Sequence, residues 1–363
     1  MVNIRSSITP RNMVISAGAI TGVLAALMTN WGNPQNRGLT VTCFIRDTMG
    51  ALGFQQAPGA QYIRPEIPGF VLGALIAAFA FKEFSVRGGS SPMFRFFLGF
   101  FVMLGAEVFL GCNTHVLVRL AGGDLNALTG LAGLVAGIFI GVLFLKRGFN
   151  LGRSHQVHPA SGFIIPLIMV SLLILVIIQP SFISFSTVGA ASFHVAVWIS
   201  LSVGLAVGFL AQRSRLCFMA GWRNIFLIKN FDFFFGIAAF FGAILITNYA
   251  AGNFNSNGIY HWGFSGEPYA VDNQYWNFAS MVLVGLGTAL LGGCPLRQTI
   301  LSGEGDADAG FTLLGMFAGA PVAQNFLIKS NDTFAGINTY GPVAVIVGMV
   351  FCLALGFLMR EKG

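Results

Sequence analysis

Charged residues make up only 9% of this 363-residue chain, against about a quarter in a soluble domain. That shortage excludes water as the main solvent of the fold, and a mean hydropathy of +0.76 says the same. Cysteine is also scarce: five residues, at 43, 112, 217, 294 and 352, with no Cys-x-x-Cys pair. This spacing excludes a disulfide framework and a tetrahedral zinc site. His155, His158, His194 and His261 stand at loop or end positions without ligand spacing, so neither a metal nor a cofactor is expected. No Gly-Lys-Ser/Thr follows the glycine-rich strings, which excludes a phosphate loop.

What is present is apolar length. Six apolar segments occur in each half, at 13–30, 38–52, 67–82, 92–111, 128–146 and 162–179, then at 194–211, 215–228, 232–251, 276–293, 310–328 and 341–359. A span needs about 20 apolar residues, so 38–52 and 215–228 are too short. They are also interrupted by Arg46 and Asp47 and by Arg223. Both are expected to be re-entrant or interfacial, because non-helical backbone at that depth must be buried in protein or line a wet cavity. The fold class expected is all-α and polytopic, one membrane domain over 1–363 with about ten transmembrane helices plus short re-entrant helices.

The net charge of +7 calls for a lipid bilayer rather than nucleic acid, since basic residues gather on cytoplasmic loops. Arg5 and Arg11 place the N-terminus inside, together with Lys82, Arg87, Arg95, Lys146, Arg147, Arg153, Arg213 and Arg215. The uncharged connector 180–193 and the loop 252–275, which carries Glu267 and Asp272, fall outside. Lys329 is the one violation, and Arg360 and Lys362 return the C-terminus to the inside. Residues 1–12 resemble a signal peptide, but no small-residue cleavage site follows Met28, so a retained first helix is expected.

Five crossings per half is an odd number, so the second half should run inverted to the first. At an offset of 182, Gly105, Gly111, Cys112, Gly123, Asp124, Ala127, Gly133 and Gly137 fall on Gly287, Gly293, Cys294, Gly305, Asp306, Ala309, Gly315 and Gly319. Cys43-Phe44 falls on Cys217-Phe218 with a displacement of eight. Two inverted repeats, 13–179 and 194–359, are expected, and paired interruptions of this kind point to the substrate site.

Buried cysteine is ordinarily inert core. Here Cys43, Cys112, Cys217 and Cys294 stand at the four interruptions, whereas Cys352 does not and is expected to be core. Three residues after Cys43, Cys112 and Cys294 lie Arg46, His115 and Arg297. On helical backbone such pairs share a face, so thiol and cation would meet one anionic ligand; alternatively the arginines snorkel to the interface. Asp124 and Asp306 precede helices expected near 128 and 310. They are either helix caps or coupling-ion sites. Glu107 stands alone in an apolar run and should face a cavity or be protonated.

The tracts GNPQNRG, CFIRDTMGALG, QYIRPE, RGGSSP, LAGGDLNAL, QRSRLC, GGCPLRQ and LSGEGDADA resemble the YeeE/YedE family of sulfur-transport membrane proteins, most closely its selenium-metabolism branch. The resemblance covers nearly the whole chain. It implies two inverted halves whose short helices meet at a constriction, where cysteines line the path of a small sulfur species such as thiosulfate. It makes Cys112 and Cys294 the central thiols and Cys43 and Cys217 the flanking ones. Two departures bear on substrate: Thr40 where that branch has a cysteine, and Asn113-Thr114-His115 where it has proline and then arginine.

The function expected is therefore inner-membrane import of a small inorganic sulfur or selenium species, with a cytoplasmic sulfur or selenium carrier as its protein partner. The chain is not expected to be an enzyme. The alternatives are a membrane sulfurtransferase or thiol oxidoreductase, against which no dithiol motif or general base beside a cysteine is visible, and a non-transporting accessory protein of selenium metabolism.

Overall fold

The computed structural model of the chain describes residues 10–256, 258–265, 270–330 and 338–360. Arg5, Glu267 and Lys362, which entered the orientation argument, lie outside these residues. The regular structure of the described chain is almost all helix. The helices are α1 Pro10–Trp31, α2 Thr42–Ala51, α3 Glu66–Ala80, α4 Pro92–Phe109, α5 His115–Ala121, α6 Asn126–Lys146 and α7 Ile164–Ile178. The second half adds α8 Val197–Ser214, α9 Ala220–Ile228, α10 Asp232–Ala250, α11 Gln274–Leu291, α12 Pro295–Gly303, α13 Ala307–Asn325 and α14 Gly341–Leu358. A two-stranded ribbon pairs β1 (Arg87–Gly88) with β2 (His155–Gln156), antiparallel.

Eight helical stretches among the described residues are long and apolar enough to cross a bilayer, α11 and α12 counting as one. The 15-residue α3 and the proline-containing α13 complete ten long helices, and the protein is a multi-pass α-helical membrane protein. Four short helices, not two, interrupt the spans. The segment 38–52 is irregular up to Val41 and helical only from Thr42, and 215–228 is helical only from Ala220. The tracts after Cys112 and Cys294 form α5 and α12, which no apolar run announced because Arg119, Gln298 and Ser302 interrupt them.

Burial sorts the helices into inner and outer. An 18-residue window of Gln274–Gly303 is 89% buried and runs through the protein interior, whereas the corresponding window of α10 is 28% buried. On α14, Val343, Ile346, Val347, Val350, Phe357 and Leu358 are exposed, a stripe at helical period that would be a large apolar patch in water and faces lipid here. The principal pairings each join a helix of the first half to one of the second: α1 with α10, α3 with α8, α4 with α13 and α6 with α11. The last helices of the two halves differ, α7 lying against α3 and α14 against α4 and α11.

These pairs pack backbone to backbone. A Cβ on Gly315 would stand 2.0 Å from the Phe96 carbonyl oxygen, and one on Gly133 2.2 Å from that of Phe278. Lipid supplies no hydrophobic drive between helices, so close approach through small residues holds such bundles together. Gly315→Ala or Gly133→Ala should therefore destabilise the detergent-solubilised protein by about 1–3 kcal/mol through overpacking. Gly242 in α10 has nothing within 4 Å of its Cβ position, so Gly242→Ala should be neutral or gain up to about 1 kcal/mol from helix propensity. Equal melting shifts for the two kinds of variant would contradict this packing account.

Candidate functional site

Two long helices stop inside the bundle. Leu110 (φ 62°) ends α4 and Gly292 (φ 77°) ends α11, both in the left-handed region. The chain then passes through Gly111-Cys112 and Gly293-Cys294 before re-entering helix as α5 and α12. Cys294 is extended, at the N-cap position of α12, and Pro295 sets the first helical φ. A helix ending at depth leaves carbonyls without partners. The Arg119 Nη1 donates to the Phe109 carbonyl at 2.6 Å, and the Gln298 Nε2 to the Leu291 carbonyl at 3.2 Å.

The fold brings thiols together across these breaks. Arg215, in the left-handed region, ends α8 and delivers Cys217 to Cys294, with the two Sγ atoms 3.7 Å apart. That is far beyond the roughly 2.05 Å of a disulfide, so this is a pair of buried reduced thiols. In the first half, Cys43 lies in the first turn of α2, and its Sγ is 3.5 Å from the His115 Nδ1. The His115 Nε2 meets the Asn36 carbonyl oxygen at 2.5 Å. A carbonyl only accepts, so Nε2 carries the proton; in the neutral ring Nδ1 is then the acceptor for the Cys43 S–H. Cys112 is fully buried, three residues before His115. Cys352 is buried on α14, away from every break.

Of the three cations expected beside the thiols, Arg46 and Arg297 are bound by carboxylates. Arg46 donates to Asp47 at 2.7 Å, and its guanidinium is 3.9 Å from Glu107. Glu107 is thus not alone in its apolar run, and it also accepts from the Gln324 Nε2 at 3.2 Å. Arg64 closes the other side of Asp47 at 2.9 Å and donates to the Phe193 and Ala190 carbonyls. Arg297 is bound by Glu304 at 3.0 Å, and Glu304 also binds Arg215 at 2.9 Å. Glu304 therefore ties together the two arginines that flank Cys217 and Cys294. Asp47 stands beside Arg46 on α2 and Glu304 caps the end of α12, which carries Arg297, whereas Arg64, Glu107 and Arg215 reach these pairs from elsewhere in the chain.

Asp306 caps α13, accepting from the Ala309 N–H at 3.0 Å, and is paired with Arg87 at 2.9 Å. Asp124 accepts from the Asn126 N–H at 2.9 Å and from the Arg119 Nε at 2.6 Å. The helices concerned begin at Asn126 and Ala307 rather than near 128 and 310. Sequence reading passed over the buried arginines Arg37, Arg64 and Arg119. Their signal was arginine set in glycine-, proline- or leucine-containing tracts, where a loop charge is the ordinary reading. On the Cys294 side, a cleft of about 190 Å³ is lined by Arg95, Asn150, Arg223 and Gly292, and it ends two residues before the thiol.

Residues 213–359 match the family described as sulphur transport. The match takes in Cys217, Cys294, Arg297, Glu304 and Asp306, and leaves the Cys43, Cys112 and His115 side outside it. Over 124 residues the chain is 30% identical to the thiosulfate transporter TsuA of Spirochaeta thermophila, an alignment covering 34% of this chain and 35% of that protein. The alignment thus spans about a third of the relative's length.

Two outcomes follow from this geometry. In the turn after α3, partial burial raises the affinity of Glu83 for a proton, but hydrogen bonds from Arg213 and Gln212 and the charge of Arg215 outweigh it and hold the carboxylate below its usual 4.5. A depressed carboxylate stabilises the fold above its unfolded value and loses that contribution as pH falls through the folded one. The melting temperature should fall on acidification below about 4.5, and Glu83→Gln should flatten part of that slope in a pH series of thermal melts. Separately, a mild thiol oxidant should join Cys217 to Cys294, the two thiols losing two protons and two electrons to the oxidant. The readout is a dithiothreitol-reversible loss of two alkylatable thiols in intact-mass spectra, absent in Cys217→Ser.

Proposed function

We propose that this chain imports a small sulfur-containing anion, thiosulfate or a species of like chemistry, across the bacterial inner membrane, passing it between buried thiols. The observation that carries this reading is the Cys217–Cys294 pair, 3.7 Å apart at two helix breaks, inside the stretch that matches the sulphur transport family. A terminal sulfur bearing partial negative charge accepts from S–H donors. Arginines already bound to Asp47 and Glu304 offer guanidinium donors whose charge is largely compensated, so that they can meet the ligand without trapping it. Weak, repeated sites suit conduction, since a ligand must be able both to enter and to leave. Selenium species of the same charge and softness belong to the same proposal, as does a cytoplasmic carrier that takes the cargo from the Cys294 side.

The reading includes two inverted repeats, 13–179 and 194–359, with both termini cytoplasmic. Its support is the recurrence of backbone and partner at the offset of 182. Leu110 and Gly292, and likewise Gly123 and Gly305, are left-handed, and the Phe109 and Leu291 carbonyls each take a side-chain donor. The helix pairs α1–α10 with α3–α8, and α4–α13 with α6–α11, are also those that exchange when the halves are interchanged.

The test is uptake of labelled thiosulfate by the purified protein in liposomes, with selenite and hydrogen selenide as competitors. Cys112→Ser and Cys294→Ser should lower the initial rate by at least about tenfold at unchanged protein amount, the loss of one transition-state interaction. Cys43→Ser and Cys217→Ser should lower it partly, and Cys352→Ser should match the unaltered protein. Uptake no faster than in empty liposomes would overturn the proposal, and a stable persulfide on a cysteine would favour an enzyme instead.

A further inference from the structure

The cleft on the Cys294 side has polar as well as apolar walls. Its volume of about 190 Å³ is many times the roughly 15 Å³ that a single water requires, so it has room for a small anion and part of its hydration. Arg95 of α4 and Arg223 of α9 reach it from different elements, and Asn150 and Gly152 line it from the loop after α6. The remaining wall is the end of α11, from Ala289 to Gly292. Gly292 is exposed, and a Cβ placed on it would have nothing within 4 Å. Leu110, its counterpart at the offset of 182, is 1% exposed. The helix break before Cys294 thus opens onto this cleft, whereas the one before Cys112 is covered.

Both arginines are anchored along one edge. The Arg95 Nε donates to the Ser90 carbonyl and to the Ser90 Oγ, each at 2.9 Å. Asp308 accepts from the Ser90 hydroxyl and from the Gly89 and Ser90 N–H groups, and stands 3.8 Å from the same Nε. The Arg223 Nε and Nη2 both donate to the Asn224 Oδ1 at 3.1 Å. Among the described residues, neither Nη of Arg95 nor the Nη1 of Arg223 has a hydrogen-bond partner, and none of these three atoms is buried. Arg223 also pairs with no carboxylate among the described residues, unlike Arg46, Arg64, Arg215 and Arg297. It lies close enough to Cys217 for its charge to act on that thiol. The negative end of α11 would repel an anion, but the Thr288, Ala289 and Leu291 carbonyls are already taken by the Gly293 N–H, the Gly292 N–H and the Gln298 Nε2. Snorkelling to the membrane surface is the ordinary use of such arginines. Two guanidinium groups converging from separate elements on one cleft, each steered by neutral acceptors, instead offer the donor forks that an oxyanion accepts.

We propose that this cleft binds a small dianionic oxyanion through Arg95 and Arg223, as the station that follows Cys294 on the way out of the protein. Its place in the pathway rests on the transport reading above, which it deepens. The thiols meet the soft sulfur of the ligand, and beyond Gly292 the guanidinium N–H groups take its hard oxygens. In the open cleft, water and salt screen a cation that has no carboxylate, as they could not among the fully buried arginines, so the anion is held weakly enough to leave. Sulfate, which has the oxygens and the charge but no soft sulfur, binds here as well.

The experiment places a reporter thiol in the cleft by Asn150→Cys, the five native cysteines being buried. Its labelling by a water-soluble maleimide is followed by intact mass in the purified, detergent-solubilised protein, with sodium sulfate compared against sodium chloride at equal ionic strength. Sulfate should slow labelling where chloride does not. Adding Arg223→Gln should raise the sulfate concentration for half-protection by about tenfold, the worth of one hydrogen bond to a charged group. Arg223→Lys, which keeps the charge and loses the fork, should fall between. Labelling slowed equally by both salts, or protection undiminished by Arg223→Gln, would overturn the site. If the reporter variant does not accumulate, binding of radiolabelled sulfate to the protein with and without Arg223→Gln decides by the same two comparisons. Sulfate protection together with no thiosulfate uptake into liposomes would leave the anion site standing and defeat the transport reading instead.

Discussion

A helix that ends inside a bilayer leaves backbone carbonyls with neither water nor a next turn to bind, and every such group must be satisfied from within the protein. The site of this protein depends on meeting that constraint at the ends of α4 and α11. Arg119 reaches back to the Phe109 carbonyl while Asp124 holds its other edge, and Gln298 does the corresponding work for Leu291. The chain can then turn at Leu110 and Gly292 and set Cys112 and Cys294 on non-helical backbone. Without those donors the helices would run on, and the thiols would be ordinary residues on a helix face.

The second constraint is charge. Arg46, Asp47, Arg64 and Glu107 are all essentially inaccessible to solvent, where an uncompensated charge is costly. Chaining Arg46 and Arg64 to Asp47, with Glu107 close to Arg46, makes the cluster tolerable by matching each charge with an opposite one beside Cys43 and His115. Glu304 does the same for Arg215 and Arg297 beside the other thiol pair. An arginine free of its carboxylate would bind an anion too firmly for passage, and an apolar replacement would give the anion no reason to enter. On the transport proposal the arrangement lies between those limits, which is what a conducting site requires.

Much of this was legible from residues alone, and the divide follows the range of the interactions. The ten long helices followed from apolar length, the breaks at Cys112 and Cys294 from cysteine and glycine recurring at one offset, and those at Cys43 and Cys217 from apolar segments too short to span. Arg46, His115 and Arg297 stood out as candidates because they sit three residues from a thiol. Their partners were not. Cys43 meets His115 from 72 residues away and Cys217 meets Cys294 from 77, and no helical period reaches that far. The short helices α5 and α12 were missed because apolar runs detect lipid-facing surface, and these helices are buried in protein with Arg119 and Gln298 among their residues.

The sequence by itself determined the solvent, the number of long helices, the places where they break and the scarcity of sulfur outside those places. These follow from composition and short-range pattern, which act through the bilayer's thickness and the helix's own hydrogen bonds. Only the tertiary structure decided which thiol meets which side chain and which carboxylate holds each arginine. The thiol contacts depend on helices from the two halves packing backbone to backbone, as at Gly133 against Phe278, and so on contacts between segments that lie far apart in the chain.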